Sequence, residues 1–69
     1  MAKINPKKTG QKLKNLRGNR TQDDIAKCLR ISRSSYQMYE NGERIPRDTV
    51  KVKLAKFYNV PVGSLFFDE

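Results

Sequence analysis

The chain has no histidine and a single cysteine, Cys28. Those two shortages exclude an internal disulfide, a His-dependent catalytic triad, a zinc site that uses histidine and a four-cysteine cluster. No apolar run approaches the roughly 18 residues of a membrane span. Met1-Ala2-Lys3 leads into no signal-peptide core, so the expected location is the cytoplasm. Acidic residues are missing from one end: residues 1–20 hold seven bases (Lys3, Lys7, Lys8, Lys12, Lys14, Arg17 and Arg20) and no acid. No nucleophile–base pair or metal cluster is legible, so neither an enzyme nor a cofactor is expected.

What is present fits one small domain. The 69 residues carry 15 Lys+Arg against 7 Asp+Glu, a net +8. Residues 21–69 contribute only +1 of that, from eight bases and seven acids. Such a balance favours an anionic partner, nucleic acid first. Apolar residues make up 36%, lean for a globule. A domain this short buries only about 60% of its unfolded surface, so self-association is an expected source of extra stability.

The pattern along the chain is helical throughout. Residues 1–8 read as a basic arm. A first helix begins near Thr9, with Leu13 and Leu16 inward, and stops at Gly18-Asn19. Thr21 caps a second helix whose Asp23 and Asp24 suit the positive end of the helix dipole. Ile25, Ala26, Cys28 and Leu29 form its inward face, Cys28 as a small filler rather than a redox group. Ser32 caps a third helix over 33–40, with Tyr36 and Tyr39 inward and Asn41-Gly42 as its stop. Val50-Lys51-Val52-Lys53-Leu54 alternates like a strand, but Val50, Leu54, Phe57 and Tyr58 also fit helical spacing, with Asp48 or Thr49 as cap. A lone strand would have an unpaired edge, so helix is expected. Pro61 opens a last turn carrying Val62, Leu65 and Phe66. The expected fold is all-α, with five short helices.

Residues 22–41 hold the informative spacing. Ile25, Leu29, Ile31, Tyr36 and Tyr39, with the small Ala26 between, suit two helices crossing steeply over a short turn. That is a helix-turn-helix, whose second helix can enter a DNA major groove. Its outward residues are then Arg33, Ser34, Gln37 and Met38. Arg33 can pair with guanine O6/N7, Gln37 with adenine N6/N7, and Met38 can touch a thymine methyl. Ser34 can bond a base or a phosphate.

Three segments together, Thr21-Gln22-Asp23-Asp24-Ile25-Ala26, Ile31-Ser32-Arg33-Ser34-Ser35 and Tyr39-Glu40-Asn41-Gly42-Glu43-Arg44-Ile45-Pro46, resemble the Xre family of phage repressors and bacterial regulators, with their Cro/C1-type helix-turn-helix. The tail from Leu54 to Val60 and Leu65-Phe66 is similar to that family's last two helices, so the resemblance covers residues 9–67. It implies a lambda-repressor-like domain, phosphate contacts from Gln22, Asn41 and Arg44, and an ion pair bracing Arg17 to Glu40. Arg20 is a weaker phosphate candidate, with Lys12, Arg47 and Lys51. Tyr36 or Tyr39 could also offer a hydroxyl to a phosphate.

Two departures stand out: Arg30 occupies the turn position usually held by glycine, and the loop Gly18-Asn19-Arg20 is short. The expected function is a sequence-specific regulator of transcription, a repressor by preference, binding a palindrome in double-stranded DNA as a homodimer. Its dimer seam would be Val62, Phe66 and Phe67. No small-molecule ligand and no membrane partner are expected. The rival reading is a protein-interaction module, such as the antitoxin half of a toxin pair.

Overall fold

In the computed structural model, which describes residues 5–66, the chain forms α1 (Pro6–Arg17), α2 (Gln22–Leu29), α3 (Arg33–Asn41), α4 (Asp48–Tyr58) and α5 (Val62–Phe66). The all-α, five-helix expectation holds. Local chemistry sets most of the ends. Asn5 Oδ1 accepts from Lys8 N, Thr21 Oγ1 from Asp24 N and Ser32 Oγ from Ser35 N, at 3.0–3.1 Å. The first of these corrects the arm: α1 starts at Pro6, not near Thr9, because Asn5-Pro6 is a cap followed by proline in the first turn. At α4 the residue in the cap position is Arg47, which makes no side-chain cap bond; neither Asp48 nor Thr49 serves.

Three helices end alike. The amides of Ile31, Glu43 and Val60 reach back to the carbonyls of Ala26, Met38 and Ala55 at 2.9–3.0 Å. The residue before each, Arg30, Gly42 or Asn59, is left-handed. This is the Schellman closure. Arg30 adopts φ 58° and ψ 43° although it is not glycine. Arg30→Gly is therefore expected to raise stability by about 0.5–1 kcal/mol. Left-handed strain of ~1–2 kcal/mol is relieved, less the ~0.5–1 that glycine loses in backbone freedom. Urea unfolding checks this, and a lower midpoint for the variant would contradict it.

The core is Leu13 from α1; Ile25, Ala26 and Leu29 from α2; Tyr36 and Tyr39 from α3; Leu54, Ala55 and Tyr58 from α4; and Leu65 and Phe66 from α5. Val52, whose place gave residues 50–54 their alternation, is an exposed residue of α4. Lys12 Nζ donates to the Ser64 carbonyl at 2.7 Å, tying α1 to α5. Gly10 lets α1 press against α3, for a Cβ there would fall on the carbonyl of Glu40.

One inward and one outward assignment need correcting. Cys28 is exposed, not a filler. It sits about 110° around the helix from the middle of the Ile25–Ala26–Leu29 stripe. Phe66, expected at a dimer seam, is 1% exposed and closes the core of its own chain. Val62 is half-buried, and Phe67 lies outside the described residues. Among the described residues, no helix is long and apolar enough to cross a membrane.

Candidate nucleic-acid interface

α3 divides cleanly between two environments. Tyr36, Tyr39 and Glu40 face inward, while Arg33, Ser34, Gln37 and Asn41 are exposed and Met38 is half-buried. At 3.6 residues per turn, positions 33, 34, 37, 38 and 41 form one outward stripe. At the amino end of the stripe Arg33 joins Arg17, Asn19, Arg20, Thr21, Gln22 and Asp23 around an open polar cleft. At the other end Arg44 is exposed beyond Gly42.

The stripe is held by a buried carboxylate. Arg17 and Glu40, the expected bracing pair, meet through Nε to Oε2 at 2.7 Å and Nη2 to Oε1 at 3.1 Å. The Glu40 side chain has no exposed surface, and that of Arg17 is 22% exposed. Arg17 Nη1 also donates to the Arg20 carbonyl at 2.7 Å, closing the short loop. Gln22 Nε2 donates to Glu40 Oε1 at 3.0 Å, so α1, α2 and α3 converge on one acid. Burial by itself pushes the Glu40 carboxyl up, but the bonds from Arg17, Gln22 and Tyr36, with the Arg17 charge, outweigh it and hold it below the ordinary carboxylate value. The same bond to Glu40 holds Arg17 above its ordinary value.

Behind this bridge the hydroxyls of Tyr36 and Tyr58 meet at 2.7 Å, joining α3 to α4. Burial first, then their mutual bond, raises the Tyr36 hydroxyl well above an ordinary phenol. Burial raises Tyr58 as well. A Tyr36 hydroxyl reaching out to phosphate is thereby excluded, since the residue is fully buried.

The outward candidates therefore fall into groups. Arg33, Ser34, Gln37 and Met38 share the stripe, and Asn41 and Arg44 flank its far end. Gln22 lies at the start of α2, but its amide is turned inward to Glu40. The spacing shows why: 22, 25, 26 and 29 make one helical stripe, of which Gln22 is the polar member. Arg20 is also engaged. Its guanidinium donates to the carbonyls of Leu16 and Arg17 and lies 5.3 Å from the Phe57 ring centre and 5.5 Å from that of Tyr58. Lys12 is tied to Ser64. Sequence reasoning places Tyr58 on the α4 stripe but misses its bond to Tyr36, and it misses Gly10, whose isolation within a helical pattern is an available signal.

Residues 12–65 match the helix-turn-helix family. The chain is similar to the cryptic phage CTXphi transcriptional repressor RstR of Vibrio cholerae, 36% identical over 59 residues that take up 83% of this chain and 53% of RstR. It thus spans about half the length of that relative. It is also 38% identical over 51 residues to an uncharacterised HTH-type transcriptional regulator of Methanocaldococcus jannaschii, covering 74% of this chain and 77% of the relative. Among solved structures, the SOS-response transcriptional repressor LexA from Eubacterium rectale superposes with a TM-score of 0.83 at 26% identity, over 100% of this chain and 77% of that one. The DNA-binding domain of BldD gives 0.73 at 27% identity, over 90% and 93%.

Proposed function

The chain belongs to the Cro/C1-type helix-turn-helix family of DNA-binding transcriptional regulators, and from that premise we propose that it is a repressor that binds a palindromic operator as a homodimer. The observation that carries this reading is the outward stripe of α3, polar and exposed except at the half-buried Met38, on a helix whose opposite side is locked by Glu40 and Tyr36. A side chain can discriminate bases only if its backbone is held still, and α3 is held from α1, α2 and α4.

In this reading α3 lies in the major groove. Arg33 pairs with guanine and Gln37 with adenine, while Met38 touches a thymine methyl and Ser34 bonds a base edge or phosphate. Asn41 and Arg44 hold the sugar-phosphate backbone beyond the carboxyl end of α3, and these contacts set register rather than sequence. At α2 the contact falls to the amide groups of its first turn more than to the Gln22 side chain, which Glu40 already engages. One such module reads few base pairs, so two copies on half-sites about 34 Å apart give the needed selectivity. With Phe66 in the core, the seam runs through Val62 and the edge of α5.

The test is binding to a duplex enriched from a random-sequence pool, against a scrambled duplex, with competitor DNA present. Arg33→Ala is expected to cost about 1–3 kcal/mol on the enriched duplex, roughly fivefold to 150-fold, and little on the scrambled one. Equal losses on both would remove Arg33 from base reading. A monomeric mass by light scattering at micromolar concentration, with and without DNA, would count against the homodimer.

A further inference from the structure

The basic arm expected over residues 1–8 gives up its last three residues to α1, and that moves a lysine to the edge of the reading helix. Gly42 is left-handed, with φ +75°, and a Cβ there would lie 3.1 Å from Lys7 Cα and 3.2 Å from Lys7 Cγ. The stem of Lys7 therefore runs across the bare backbone of Gly42, one residue from Asn41 and two from Arg44. We infer that Lys7 is a fixed contact to DNA phosphate, completing with Asn41 and Arg44 a grip at the carboxyl end of α3. The inference rests on the reading of α3 as the DNA-reading helix.

Three observations carry it. Lys7, Asn41 and Arg44 are all exposed, and the Lys7 backbone and Cγ lie beside Gly42, between the other two in sequence. Lys7 has no freedom to drift with a tail: Asn5 caps its helix, and one turn further on Gly10 seats α1 against the Glu40 carbonyl. Gly42 itself leaves the space, since a Cβ at that position would crowd the Lys7 backbone and Cγ at 3.1–3.2 Å. A charge on a loose arm raises encounter rate; a charge docked beside α3 makes a defined phosphate contact. The competing role for Lys7 is to offset the negative end of the α3 dipole, which acts on stability alone.

The experiment compares Lys7→Gln, Lys7→Arg and Lys56→Gln by fluorescence anisotropy over a salt series, on the duplex enriched by the wild-type protein and on a scrambled one. Lys56 is an exposed lysine of α4 and matches the charge lost. Lys7→Gln is expected to weaken binding to both duplexes by about fivefold to tenfold at 0.1 M salt and to reduce the log–log salt slope by about 0.9. Lys7→Arg should restore both, and Lys56→Gln should change either by much less. Equal effects of the two glutamine variants would overturn the inference in favour of diffuse charge. A fall in melting temperature large enough to account for the lost binding would overturn it in favour of the dipole role. Binding by the wild type with Lys7→Gln unaffected would overturn this inference alone, and no duplex binding by the wild type would overturn it together with the reading on which it rests.

Discussion

Gly10→Ala is expected to destabilise the fold by about 3 kcal/mol, the upper end of what overpacking costs. The sign is opposite to the usual one. Alanine in place of glycine within an exposed helix gains about 1 kcal/mol in propensity. Here the added methyl falls on the Glu40 carbonyl, with the Tyr39 carbonyl 2.9 Å away. Those atoms are backbone and cannot rotate aside, so α1 must retreat from α3. Retreat lengthens the Arg17–Glu40 bonds and loosens Leu13 in the core. Urea unfolding of Gly10→Ala beside the exposed Gln11→Ala measures the difference. Equal or higher stability for Gly10→Ala would show that the two backbones are not in contact.

Arg17→Met should cost about 3 kcal/mol at neutral pH, the lower end for breaking a buried pair because water reaches part of the arginine. Methionine keeps most of the stem's packing and removes the charge. The carboxylate of Glu40 is then left buried with only Gln22 and Tyr36 as partners. The pH dependence distinguishes this loss from lost packing. In the wild type the Glu40 pKa is depressed on folding, so its contribution is present above the unfolded value near 4.3 and disappears as pH falls through the folded value. In the variant, burial acts with less opposition and the folded pKa moves up. Protonation then favours the folded state, and stability should recover as pH falls from 7.5 towards 5. A loss that is the same at both pH values would mean that the Glu40 charge is not what the variant exposes.

The legible parts of the fold were the local ones. Thr21 and Ser32 bond amides three residues away, so their role as caps could be read from a few positions. Asn41-Gly42 ends α3 for the same reason, and Arg30 stands out as the residue in a turn position usually held by glycine, where the backbone is left-handed. The Tyr36–Tyr58 contact joins residues 22 apart, and nothing in the spacing of either tyrosine names the other. Phe66 illustrates a different limit. A large apolar residue near the end of a small domain satisfies a core and a partner surface equally well in sequence, and only packing separates them. The outward stripe of α3 was legible because inward tyrosines fix the opposite side. The inward turn of Gln22 lies in the same spacing that sets it beside Ile25, Ala26 and Leu29, but the resemblance, which carries over a residue's position and not the direction of its amide, points it outward.

The Schellman closures at Arg30, Gly42 and Asn59 bear on how tightly such a small surface can hold DNA. Each reverses the chain at a single left-handed residue, with its amides already bonded to the helix it ends. The first residues of the connections they begin have little conformational freedom left to lose, because folding has removed it. Association therefore carries a small ordering penalty in these segments, and more of each contact's strength appears as affinity.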